Sequence, residues 1–195
     1  MFVNPRMPLA LVLLLTLPTW LWASQLDDLK VESIDAMSQR ADKIGVINIM
    51  QATVLLPPSE CGVLYRGTVV EAIKNVEVGE SVTFFNLFDH QSGLRAADQF
   101  VVFLDKRDSD SSCAEAEHKV ANAGYGALRV DVPTGRHIKL PHMHGVRIPQ
   151  SFVVVPEHFS TWKGQSSDIE ISKTLWVKYG DLLSYLKKQH RPTSQ

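Results

Sequence analysis

Hydrophobic positions in this chain recur mostly at period two, which predicts strands, with helical spacing confined to two short segments near its ends. Ile44 to Val54 turns to Ile, Val and Thr and predicts a first strand. Leu55-Leu56-Pro57-Pro58 ends it, because proline cannot donate to a central ladder. Val63, Tyr65, Gly67 and Val69 then share one face of a second strand over Val63–Val70. Gly67 among larger residues implies a close backbone approach or a coil in that strand. A turn-bearing connection over 75–80 leads to a third strand, Ser81 to Phe85, and residues 86–98 read as a loop. Phe100 to Leu104 is a continuous apolar run suited to a strand buried on both faces.

Further along, 107–112 is polar and predicts an exposed segment, and Ala114 to Asn122 predicts a helical turn or two. Tyr125 to Val132 alternates as a strand does. Pro133-Thr134-Gly135 then turns the chain into His137 to Leu140, and Ser151 to Val155 and Thr174 to Val177 are further strand candidates. The period changes at two places. Ser33 is a good N-cap for a short helix whose Ile34, Met37 and Ala41 share a face. Leu182, Leu183, Tyr185 and Leu186 make an apolar face on a last helix, Tyr179 to Gln189. Many short strands with helices near both ends predict a small barrel or sandwich with helical additions. Neither an internal repeat nor a linker divides residues 24–190, which read as a single domain ahead of a disordered tail, 191–195.

Residues 1–23 stand apart. Arg6 supplies a positive start, Leu9 to Leu17 is apolar but for Thr16, Pro18 breaks the run, and Ala23 is a small residue at a plausible cut. That order describes a secretory signal peptide. A spanning helix needs about 20 continuous apolar residues, and Pro18, Thr19, Asp27 and Asp28 argue against one. The expectation is an exported soluble protein, periplasmic or extracellular, with no membrane span after cleavage. Removing Arg6 changes the net charge from -1 to -2. Nucleic acid is therefore not an expected partner, since its recognition needs clustered Lys and Arg to replace phosphate counterions. The basic group Lys187, Lys188, His190 and Arg191 suits a helix C-terminus and a solvated tail.

Only two cysteines are present, Cys61 and Cys113. In an exported chain they predict a structural disulfide worth about 4 kcal/mol in the chain-entropy picture. They lack the short Cys-x-x-Cys spacing of a redox or zinc pair. His137, His142 and His144 form the one site-like cluster, able to offer imidazoles to copper or zinc if extended, although Pro141 and Gly145 frame a turn there. No other cofactor is expected. Catalytic signatures are missing: there is no Gly-x-Ser-x-Gly elbow, phosphate-cradling loop or His-Glu-x-x-His pair. Asp89, His90 and Ser92 are of the right types but adjacent in a polar loop, whereas triads assemble from distant segments. Glu115 and Glu117 read as a solvated face. The expectation is thus not an enzyme.

Ala41-Asp42 before a strand, Cys61 with Tyr65, Gly67 and Val69, Ile73-Lys74, and a later strand carrying Phe100, Phe103 and Leu104 form an ordered series. Over roughly Ala41 to Cys113 this resembles the netrin-like domain shared by tissue inhibitors of metalloproteinases and small exported bacterial proteins; the placement of the C-terminal helix is similar. The resemblance implies a mainly β fold: an OB-fold-like five-stranded barrel closed in Greek-key order, with a short N-terminal helix and a C-terminal amphipathic helix. It does not imply inhibition. The family's inhibitors carry a cysteine at the first mature residue, and here none precedes Cys61. What the resemblance leaves is an exported, non-catalytic binding module acting on a protein or glycan. Tyr65, Phe85, Phe88 and Trp162 are candidate binding-face aromatics, each equally suited to a core. The alternative function is metal handling by the histidine cluster, and the third an enzyme of unrecognised type.

Overall fold

The computed structural model describes residues 31–56, 61–87, 94–108, 113–131, 145–163 and 174–191. After a two-residue strand β1 (Glu32–Ser33), helix α1 runs Ile34–Arg40. Ser33 caps it as the sequence predicts, its side chain accepting from the Ala36 N–H at 3.1 Å. Its other end is held by a residue far along the chain. Lys74 Nζ donates to the carbonyls of Ser38 (3.2 Å), Gln39 (3.0 Å) and Ala41 (2.5 Å), placing a cation where the helix leaves its carbonyls orphaned. Ile34, Met37 and Ala41 are buried.

Five strands close the barrel: β2 (Lys43–Val54), β3 (Val63–Lys74), β4 (Ser81–Asn86), β5 (Gln99–Lys106) and β6 (His118–Val120). The hydrogen-bonded order is β2-β3-β4-β6-β5, and β5 returns to β2, with β4 and β6 parallel and every other pair antiparallel. The OB-fold-like barrel read from the sequence is present. β3 serves two neighbours, and three register shifts along β2 let the pair coil. At the shift between Ile49 and Gln51, Met50 is left exposed. Gly67 sits in that coil. A methyl there would lie 2.4 Å from Ile47 Cγ2 and 2.7 Å from the Asn48 carbonyl oxygen, so two strands meet where only a hydrogen fits.

The interior is filled by Ile47, Tyr65, Val69, Phe84, Phe100, Val102 and Leu104, among others. The alternate residues of β5, Val101 and Phe103, face a second core shared with α1 and the C-terminal helix α2 (Tyr179–Gln189). β5 is therefore buried on both faces, as its apolar run requires. Leu182 and Leu186 bury the inner face of α2. Polar links hold the two helices together: Tyr185 donates to Asp35 at 2.6 Å and Ser38 to Gln189 at 2.8 Å. The basic end of α2 is only partly a solvated tail, because Lys187 pairs with Glu71 at 2.7 Å and His190 lies 2.8 Å from Ser38 Oγ.

Two expectations fail here. Ala114 to Asn122 does not form a helix. It supplies β6, then a short 3-10 turn at Asn122–Gly124 in which all three residues have positive φ. The local sequence is helix-compatible, but the open edges of β4 and β5 leave backbone groups that only a strand satisfies, and the ladder wins. The strand expected over Ser151–Val155 shrinks to β9 (Val153–Val154), which pairs in parallel with β1.

β5 also branches. Its second half pairs with β6, while Gln99–Val102 pairs with β7 (Ala127–Asp131). From there β8 (Gly145–Pro149), β11 (Thr174–Lys178) and β10 (Thr161–Lys163) extend the sheet beyond the barrel. β10 forms an edge three residues long. β8 and β10 were not legible as strands. Cys61 and Cys113 are bonded, as expected, with Cα atoms 4.8 Å apart. The bond ties the start of β3 to the segment entering β6, buried against Phe85 and Ala116.

Candidate functional site

Two of the proposed binding aromatics are unavailable. Tyr65 is fully buried inside the barrel, stacked on Phe84 with centroids 5.6 Å apart. Phe85, its side chain on the opposite face of β4 from Phe84, is buried against the disulfide. Both are core residues, Tyr65 facing into the barrel and Phe85 facing outward beneath the disulfide, and neither has surface to present. Phe88, His137, His142 and His144 lie outside the described residues. Among the described residues, the group nearest to a metal site is Cys61, Cys113 and Glu115. Its sulfurs are already joined to each other and have no thiolate to give.

Trp162 is the remaining aromatic, and it stands in company. The sheet face that lines the barrel interior continues past β5 onto the extension, where its residues become polar and aromatic. Directly paired positions in antiparallel strands share a face. Phe100 pairs with Arg129, Arg147 with Trp176, and Trp176 with Trp162, while the β7–β8 register sets Arg129 opposite Arg147. One transverse row thus runs Phe100, Arg129, Arg147, Trp176, Trp162. It begins inside the barrel and ends at the sheet edge.

Two arginines opposite each other repel, and carboxylates offset this on one side only. Arg129 lies between two of them, 3.2 Å from Asp98 through Nη2 and 3.2 Å from Asp131 through Nε. Arg147 reaches Asp131 at 3.9 Å and makes no hydrogen bond among the described residues. Its guanidinium instead stacks over Trp176, 5.4 Å from the ring centroid. Burial pushes the Asp131 carboxyl above its ordinary range, and the two arginines pull the other way. Gly145 makes room for the rings: a methyl there would approach Trp176 at 3.0 Å and Trp162 at 3.2 Å.

Four buried side-chain atoms among the described residues have no hydrogen-bond partner: Asp105 Oδ1, Arg129 Nε, Trp162 Nε1 and Trp176 Nε1. Arg129 Nε is near Asp131 but not aligned to donate to it. Three of the four therefore lie in this one row, and all three are donors. An unsatisfied buried donor costs on the order of 1–3 kcal/mol; all three atoms are sealed from solvent and Trp176 is a core residue, so the members of the row with surface to present are Arg129, Arg147 and Trp162.

A concavity of about 270 Å³ opens between β4 and the segment entering β6, lined by Lys43, Glu80, Ser81, Thr83, Glu117 and His118. Two of its charged groups are matched. Lys43 pairs with Glu80 at 2.9 Å and His118 with Asp42 at 2.8 Å. Glu80 also accepts the Glu77 N–H, and these bonds hold its carboxyl below the usual range, Lys43 contributing most.

Part of the row could be found in the sequence. Arg129 and Asp131 alternate correctly for one face of the expected Tyr125–Val132 strand, and Trp176 falls in the expected strand before α2. Their meeting with Arg147 depended on β8, which carried no strand signal. Comparison with family models, with curated proteins and with solved structures finds no match to this chain.

Proposed function

We propose that this protein is an exported, non-catalytic binding module of the netrin-like kind, engaging a protein or glycan through Arg129, Arg147 and Trp162, the part-exposed members of the row. The part-exposed Arg147, lying over Trp176 on the same face as the part-exposed Trp162, carries this reading. The row combines an aromatic platform with fixed polar groups, the usual makeup of a recognition surface, and it holds no nucleophile. Export is supported by the signal-like residues 1–23 and by the disulfide, since such bonds persist in oxidising compartments. The netrin-like assignment rests on the ordered series from Ala41 to Leu104 and agrees with a barrel stapled at Cys61.

Site-specific photo-crosslinking in the exporting host tests it. A crosslinker at Lys178, exposed and on the same face of β11 as Trp176, is expected to capture a discrete partner. One at Val78, exposed on the turn between β3 and β4, is expected to capture none. Equal adducts at both positions, or none at either, would refute the reading.

A further inference from the structure

We infer that Glu115 is an electrostatic guard of the Cys61–Cys113 disulfide, slowing its exchange with small thiols of the glutathione class. Both cysteines are fully buried, packed with Phe85 and Ala116 and flanked by Leu55 and Leu64. Glu115 is exposed, yet its Oε2 lies 3.0 Å from Cys61 Sγ. An exposed carboxylate touching a buried sulfur stands between that sulfur and water. Oxidised Cys61 has no proton to give, so this contact is not a hydrogen bond and leaves the carboxylate's charge in place. The other cysteine has a charge of opposite sign beside it: Arg107 Nη1 donates to the Cys113 carbonyl. Alone, that cation would favour thiolate chemistry at the pair.

Reduction proceeds by two thiolate attacks. The first bonds the incoming sulfur to one cysteine as the S–S bond breaks, and the other cysteine leaves as a thiolate with the electron pair. A second small thiolate then attacks the incoming sulfur, so the small thiol is oxidised to its own disulfide and the second cysteine is released. Attack at Cys61 brings the incoming negative charge against Glu115. Attack at Cys113 sends the electron pair to Cys61 Sγ, 3.0 Å from the same carboxylate. Both routes therefore gather negative charge beside Glu115 in the first step, and beside a buried sulfur that repulsion is screened less than in bulk water. The bond under guard holds the start of β3 to the segment entering β6, so Glu115 preserves the closure of the barrel where thiols are present.

The oxidised protein is incubated under native conditions with mercaptoethanol, thioglycolate or cysteamine, whose side groups are neutral, anionic and cationic. Alkylation and mass spectrometry follow the appearance of free cysteines, and rates are referred to thiolate concentration. Glu115→Gln keeps the shape and removes the charge. It is expected to react with mercaptoethanol about tenfold faster than the parent. The parent's preference for cysteamine over thioglycolate is expected to shrink in the variant. Glu117→Gln removes an exposed carboxylate two residues along and is expected to stay within about twofold of the parent. Equal rates for Glu115→Gln and the parent would overturn the proposal, because reduction would then await unfolding. So would a gain of the same factor for all three thiols, which a variant that merely opens more readily would show. An equal gain in Glu117→Gln would assign the effect to surface charge at large and sink the contact with Cys61.

Discussion

Replacing Gly67 with alanine tests the packing on which the barrel depends. The added methyl would sit 2.4 Å from Ile47 Cγ2 and 2.7 Å from the Asn48 carbonyl oxygen, both far inside contact distance. Gly67 pairs with Ile49 on one side and Val82 on the other, so β3 cannot move away from β2 without straining β4. Ile47 can turn its side chain, but the Asn48 carbonyl belongs to β2 itself. Overpacking of this kind costs about 1–3 kcal/mol. Alanine's lower backbone entropy returns about 0.5–1 kcal/mol of that. The net expectation is a loss of about 1 kcal/mol, or roughly 2–4 °C in melting temperature for a domain this size.

Urea unfolding followed by tryptophan fluorescence measures the loss, and a double-mutant cycle with Ile47→Ala locates it. Removing Cγ2 should reduce the cost of Gly67→Ala without abolishing it, leaving the carbonyl clash and a coupling of at least about 0.5 kcal/mol. A Gly67→Ala protein within 0.5 kcal/mol of the parent would refute the close approach. So would a cycle with no coupling, because the methyl would then not meet Ile47.

Cys61→Ser with Cys113→Ser opens a loop with a sequence separation of 52 and should cost about 4 kcal/mol in the chain-entropy picture; chemical denaturation of the double variant measures it. Lys74→Met leaves three carbonyls at the end of α1 without their cation and should lower stability by about 1.5–3 kcal/mol, with faster amide exchange in α1 as the local signature. Glu80 titrates below its ordinary value of 4.5 in the folded protein, chiefly through its hydrogen bond to Lys43. The unfolded chain then binds the proton more tightly, so this contribution is present above the unfolded pKa and disappears as pH falls through the folded one. Glu80→Gln should therefore show a shallower loss of stability than the parent between about pH 5 and pH 3, and parallel slopes in the two proteins would contradict it.

Local chemistry alone made several elements readable. Ser33 capped α1 where its hydroxyl predicted. Val63, Tyr65, Gly67 and Val69 faced inward together, and Phe100–Leu104 was buried on both faces because nothing in it could face water. The same inward period that identified β3 is what removes Tyr65 from any binding role. A strand pattern tells which residues share a face, and only the sheet's closure tells that the face is sealed. β6 was misread for the opposite reason. His118, Lys119 and Val120 have no strong preference of their own, and three residues are too few to show a period.

By itself, the sequence determined the mainly β character, the positions of the two helices, the disulfide partners and the tight approach at Gly67. Each follows from spacing, residue volume or the presence of just two cysteines, all of which are properties of the chain in one dimension. The tertiary structure decided how β5 divides between the barrel and its extension, and hence which side chains meet across five strands. Arg129, Arg147, Trp176 and Trp162 span residues 129–176 yet form one row, because hydrogen-bonded register, not proximity in sequence, sets neighbours in a sheet.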